Sequence, residues 1–358
     1  MTIEKLIKNK TLEELVGQLF MVGFEGTRFN SDLSFFLKKL HVGGVILFKR
    51  NIQDPLQLAD LCRSLQEKSL ELSSIPLFIS IDQEGGQVAR LDHPFTQFES
   101  PSVMASADDP EGEIRHFAHT QVQELKLVGI NMNLTPVLDV NTQGKDGLMA
   151  TRSYGSDPHQ VARLGALCIH ELQQAGIISC AKHFPGIGDT ELDSHQDQPI
   201  LLKEKKELEK IELIPFQEAV RIPTGTIMVS HVRYPAYDLK HPASLSYSII
   251  NGLLRQKLGY EGLVMTDDLE MGAISRHYEL EEALFLAFNA GVDCLLICHN
   301  LEKIEKGYLY LLNKFKKGAI SSDLLKKSSM RILTLKQKYL HSFLPKTDKE
   351  IKEYFLQK

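Results

Sequence analysis

The densest set of reactive side chains in the sequence lies in Lys182-His183-Phe184-Pro185-Gly186-Ile187-Gly188-Asp189-Thr190-Glu191-Leu192-Asp193-Ser194-His195. Ile177 to Ala181 lead into it as an apolar run, so Lys182 and His183 are read as leaving the end of a buried strand, a rigid mount for chemistry. Pro185, Gly186 and Gly188 then break regular structure, and the loop they begin is expected to move. It carries Asp189, Asp193 and His195, groups able to transfer protons. Asp193-x-His195 sets a carboxylate within reach of an imidazole, the minimum for an oriented acid/base that stabilises its own charged form.

Other readings of this loop are weaker. His183, His195, Asp189 and Asp193 together resemble a metal cage, but the HExxH spacing is absent and Lys182 beside a ligand would repel a cation, so no metal is expected. A Ser-His-Asp triad fares worse, since no G-x-S-x-G elbow occurs and Ser194 lies between the two residues that would have to orient it.

The elements that must position these groups are read from short apolar runs: 18–24, 44–48, 77–82, 131–140, 178–183, 226–231, 263–267 and 293–298. Helical patterns lie between them. Leu58, Leu61, Cys62 and Leu65 fall on one helix face, and Asp54-Pro55 ahead of them supplies an N-cap and a first-turn proline. Asp109-Pro110 and Asp157-Pro158 repeat that signal, and Gly129, Gly176 and Gly291 stand where helices should end. Alternating strand and helix imply a parallel sheet covered by helices, and eight units fit a closed (β/α)₈ TIM barrel better than an open doubly wound sheet. Asp82-Gln83-Glu84-Gly85-Gly86 is too glycine-poor for a dinucleotide turn, and no P-loop occurs. No compositional break marks a second domain. A single barrel domain is expected over 1–340, with 341–358 a helical tail that frays at its end.

At 358 residues the chain can bury a large core. Its net charge of -5 offers no basic surface for nucleic acid. The five cysteines form no CxxC pair and are expected to be reduced. The N-terminus lacks a signal-peptide core and no run is long enough to span a membrane, which leads to the expectation of a cytoplasmic protein without a membrane partner.

On a barrel, the remaining polar residues collect in one place. Asp82, Asp139, Lys182, His183, His231, Asp267 and Asp268 all fall at C-terminal strand ends, the face where barrel active sites are built. Taken singly each has a plainer role: Asp139 and Asp268 as helix N-caps, His231 as a satisfied core histidine, Lys182 as partner of a nearby carboxylate. Their coincidence on one face argues for a site.

Set beside Ile81-Asp82-Gln83-Glu84-Gly85-Gly86 and Met265-Thr266-Asp267-Asp268-Leu269, the Lys182–His195 stretch makes the chain resemble the family 3 glycoside hydrolases, and within them the bacterial β-N-acetylglucosaminidases of cell-wall recycling. The resemblance runs from about Leu15 to Tyr339 and includes Gly43 to Phe48, Pro136 to Val140 and Arg152-Ser153-Tyr154. It implies a TIM barrel and a retaining mechanism, with Asp267 as nucleophile, His195 as acid/base and Asp193 orienting it. Asp82, Arg90, Arg152, Lys182 and His183 match the family's sugar-binding groups. The implied substrate is a terminal β-linked N-acetylglucosamine on anhydro-muropeptides, handled by a monomer with no cofactor. Ile187 departs from the pattern, standing where members usually carry a second histidine. Rival readings are a β-glucosidase or β-xylosidase on the same barrel, a phosphorylase, and a non-catalytic sugar binder.

Overall fold

The computed structural model describes residues 2–188, 190, 194, 197–222, 224–340 and 344–356. Eight parallel strands close into a barrel in sequence order: β1 (Phe20–Val22), β2 (Gly44–Leu47), β3 (Phe78–Ile81), β4 (Met132–Asn133), β5 (Ile178–Phe184), β6 (Thr226–Val229), β7 (Leu263–Asp268) and β8 (Cys294–Ile297). β1 pairs with β8 as well as β2, so the sheet has no edge. The (β/α)₈ expectation holds, and every expected strand run contributes one strand. β4 is the shortest, because the run after it meets Pro136, which has no N–H to donate; there the chain pairs irregularly with β5, through Lys182 N–H to the Pro136 carbonyl at 3.2 Å.

Helices follow where their start signals lie. Asp54 accepts from Leu56 and Gln57 N–H, both at 2.9 Å, to open α1 (Pro55–Ser73). Asp109 caps α2 (Pro110–Val128) through Gly112 N–H, and Asp157 caps α3 (Pro158–Gln174) through His159 N–H. Each such cap stabilises its helix by about 1 kcal/mol. After β8, α4 (Leu301–Lys316) and α5 (Ser322–Leu340) complete the outer layer. The tail is helical over 348–356. α6 (Asp348–Leu356) packs on α1 and α2 with Ile351 buried, and Phe355 meets Phe95 edge-on at 5.0 Å.

The barrel interior is filled in layers from alternate strands. Odd strands contribute Met21, Ser80, Cys180 and Met265, where Ser80 Oγ donates to Met21 Sδ and Cys180 lies 3.5 Å from Met265 Sδ. Above them, Ile46, Leu134, Met228 and Leu296 come from the even strands or their ends and form an apolar floor. Two residues on along β3, β5 and β7, the same inward rows deliver Asp82, Lys182 and Asp267. The strand period alone therefore lifts three charged groups onto an apolar floor. Among the described residues no helix is long and apolar enough to cross a membrane, and all five cysteines are buried and unpaired.

Candidate active site

A cavity of about 380 Å³ opens at the C-terminal mouth of the barrel. Asp82, Arg90, Arg152, Lys182, His183 and Asp267 all line it, together with Asp268, Glu270 and His299. Six expected site residues thus meet in one place. Asp193, His195 and Asp189 lie outside the described residues.

Lys182 is the hub of the charged wall. Its Nζ lies 2.8 Å from Asp82 Oδ1 and 2.6 Å from Glu84 Oε1. Glu84 also accepts both Arg152 Nε, at 2.9 Å, and Arg152 Nη2, at 2.7 Å. Burial would raise the Glu84 carboxyl, but Arg152 and Lys182 outweigh it and hold the group far below its ordinary range. In return, Asp82 and Glu84 overcome the burial of Lys182 and keep its amine protonated. Arg90 approaches Asp82 more loosely, at 3.4 Å. The wall presents charged donors and acceptors fixed by their mutual pairing.

β5 shifts register against β6 between Ala181 and Phe184, so strict alternation fails and His183 also reaches the cavity. Its Nδ1 meets Asp139 Oδ2 at 2.7 Å, and the other Asp139 oxygen accepts Ile187 N–H at 2.8 Å. Asp139 therefore orients an imidazole and the stem of the following loop rather than capping a helix. The stem is also fixed more firmly than its glycines suggest. Tyr234 Oη–H donates to the Gly186 carbonyl at 2.7 Å, and a Cβ on Gly188 would stand 1.6 Å from the Val140 carbonyl oxygen. Gly188 permits close packing here rather than hinging. Ile187 is buried beside this stem and does not line the cavity. Farther along, the Ser194 carbonyl accepts Ala273 N–H at 3.0 Å, tying that point of the loop to the segment after β7.

Asp267 sits on a β-bulge. Met265 pairs with Cys294 and Asp268 with Leu296, so β7 spends one more residue than β8 over this stretch. Thr266 Oγ1 accepts Leu296 N–H at 3.1 Å, and Leu269 N–H to the Leu296 carbonyl at 3.1 Å resumes backbone pairing. Burial would raise the Asp267 carboxyl, yet His183, His231, the Asp268 N–H and Lys182 together hold it below its ordinary value. A half-buried carboxylate kept ionised at the wall of a cavity is equipped as a nucleophile.

Asp268 belongs to the same wall rather than to a helix cap. Its Oδ1 accepts Glu270 N–H at 3.0 Å in a tight turn, while the short helix Gly272–Ser275 is preceded by Met271. Burial, with Glu270 and Asp267 nearby, pushes its carboxyl up to about 7. Two neighbouring carboxyls are thus driven in opposite directions. Glu84 is a residue of this wall that sequence reasoning left without a role, and Asp139, placed there on the active-site face, is seen to hold His183. The Asp82-x-Glu84 spacing, which puts two acids on one face of an extended chain, was the available signal for the first.

Fold and site together define an eight-stranded parallel barrel with an ionised aspartate at a strand end facing a polar, ligand-sized cavity. Residues 11–335 match the glycosyl hydrolase family 3 N-terminal domain, and the chain belongs to that family. It is 34% identical over 329 residues to beta-hexosaminidase A of Pseudoalteromonas piscicida, covering 86% of this chain and 55% of that protein. To the beta-hexosaminidase of Alkalilimnicola ehrlichii it is 36% identical over 295 residues, covering 81% and 83%. The solved structure of a family 3 β-N-acetylglucosaminidase from Paenibacillus superposes with a TM-score of 0.89 at 38% identity, over 97% of this chain and 68% of that one. The chain therefore spans little more than half of the first of these relatives.

Proposed function

We propose that the chain is a retaining exo-β-N-acetylglucosaminidase that releases terminal non-reducing N-acetylglucosamine from cell-wall muropeptide fragments. The observation that carries this reading is the ionised Asp267 carboxylate at one side of a cavity whose other wall is Asp82, Lys182, His183 and the Arg152–Glu84 pair. The names of the relatives supply the sugar. Asp82 accepts from sugar hydroxyls while Lys182, His183 and Arg90 donate, and Met228 and Met271 give the acetamide methyl an apolar surface.

In the first step Asp267 attacks the anomeric carbon and a glycosyl-aspartate forms as the leaving oxygen departs. His195, oriented by Asp193, gives that oxygen its proton and then takes one from the attacking water. A histidine is suited to both tasks near neutrality because its unperturbed pKa, about 6.5, lies close to the working pH. The protein is proposed to work as a monomer in the cytoplasm, without a cofactor.

The test is nitrophenol release from the N-acetyl-β-glucosaminide by the wild type and by Asp267→Ala, with and without phosphate. Turnover abolished by the substitution supports both nucleophile and sugar, and a rate independent of phosphate supports hydrolysis. Turnover of the plain glucoside in place of the N-acetyl sugar would discard the proposed substrate.

A further inference from the structure

The bulge that carries Asp267 is held from outside its own strand. His231, just past the end of β6 and buried, brings its Nε2 to 2.9 Å from the Asp268 carbonyl oxygen and its Nδ1 to 2.7 Å from Ser244 Oγ. A carbonyl only accepts, so Nε2 carries a proton whatever the charge of the ring. Ser244 is fully buried, and its N–H donates to the Ser230 carbonyl at 2.9 Å, which ties it back to the end of β6. The ring is thus clamped at both nitrogens, between the Ser244 hydroxyl and the carbonyl of the residue that follows the nucleophile.

The barrel's own pairing is irregular just ahead of this carbonyl. The extra residue of β7 falls between Met265 and Asp268, so regular pairing with β8 does not fix the intervening backbone. On the β8 side a side chain, Thr266 Oγ1, stands in as acceptor for Leu296 N–H. On the β6 side the regular register ends at Val229 with Thr266, and His231 takes over two residues later. The Asp267 carboxylate in turn accepts Asp268 N–H at 2.8 Å through Oδ1. The residue whose carbonyl His231 holds, Asp268, therefore also supplies the N–H that orders the carboxylate.

We propose that His231, seated by Ser244, is a positioning residue for the Asp267 nucleophile: its hydrogen bond to the Asp268 carbonyl sets the pitch of the bulge and with it the direction of attack. The inference rests on the glycosidase reading above. His231 is not among the residues lining the cavity, so its loss is expected to act on the bond-forming step and to leave ground-state binding in place. A nucleophile displaced by about 1 Å slows attack by roughly 10²-fold.

The experiment compares wild type with His231→Ala, His231→Gln and Ser244→Ala, reading kcat, KM and inhibition by free N-acetylglucosamine on the nitrophenyl substrate. His231→Ala is expected to lower kcat about 10²-fold with the inhibition constant unchanged within about threefold. His231→Gln, whose amide can donate to Asp268 and accept from Ser244, is expected to recover most of the loss. Ser244→Ala leaves the ring in place without its seat, and is expected to give an intermediate loss. Equal losses in kcat and in sugar affinity, or no difference between alanine and glutamine, would overturn the proposal. If the wild type does not turn over this sugar, the glycosidase reading fails by itself. The positioning claim is then decided by crystal structures of wild type and His231→Ala, where an Asp267 carboxylate moved by less than about 0.5 Å would refute it.

Discussion

Glu84 gives the site its most demanding electrostatic test. Its carboxylate is fully buried and accepts from Arg152 at 2.7 and 2.9 Å while lying 2.6 Å from Lys182. Glu84→Gln keeps the shape and one acceptor oxygen but removes the charge that compensates two cations, one of them, Lys182, buried. Breaking a buried pair in this way costs about 3–5 kcal/mol. Spread over the unfolding entropy of a chain this long, that is a fall in Tm of about 4–7 °C. The pH dependence gives the argument its sign. The folded carboxyl is held far below its ordinary value of 4.5, so its contribution is fully present above pH 4.5. It is lost by about 1.4 kcal/mol for each unit the pH falls below that value, until the folded group itself takes a proton. The gap between wild type and Glu84→Gln is therefore expected to narrow in acid. Urea unfolding of both proteins at pH 7 and pH 3.5 reads it. A difference below about 1 kcal/mol at pH 7, or the same difference at both pH values, would refute the reasoning.

Asp139→Asn replaces an acceptor that serves His183 Nδ1 and Ile187 N–H with a group that must also donate, and is expected to lower kcat/KM by roughly 10²-fold on the nitrophenyl substrate. Asp268 is raised to about 7, so below its unfolded value it adds stability that is lost as the pH climbs through about 7; Asp268→Asn is expected to raise Tm more at pH 8 than at pH 5 in thermal melts. Lys336 is buried with its amine on Gln18 Oε1 and the Gly43 carbonyl, both at 2.7 Å, and burial pushes it down to about 7. Its folded pKa lies below its unfolded one, so wild-type stability should rise as the pH goes from about 7 toward 10.5, and denaturant titrations should find that slope missing in Lys336→Met.

What was legible in the sequence was local or periodic. Asp54-Pro55, Asp109-Pro110 and Asp157-Pro158 open helices at those positions because cap and first-turn proline act within a few residues. The ends of the apolar runs placed Asp82, Lys182 and Asp267 on the C-terminal face of a barrel without knowledge of any contact. What escaped depends on partners far away in the chain. Asp139 has a local reading as a helix cap, but its acceptors serve His183 and Ile187, 44 and 48 residues on. Glu84 is committed to Arg152, 68 residues on, and to Lys182. The bulge at Asp267 leaves no periodic trace, because one extra residue in a short apolar run is indistinguishable from a longer strand. The seat of α6 is equally distant in the chain, because its few apolar residues, Ile351, Tyr354 and Phe355, do not reveal the surface on α1 and α2 that receives them.

The central claim is that Asp267 forms a covalent bond to the sugar. It is tested most directly by incubating the protein with an activated fluorinated N-acetylglucosamine analogue that slows hydrolysis of the intermediate, then locating the adduct by peptide mass spectrometry. The account predicts one sugar per chain, on the peptide containing Asp267, and none on Asp267→Ala. A sugar attached to Asp268 or to another carboxylate, or wild-type turnover that inverts the anomeric centre without any adduct, would contradict it.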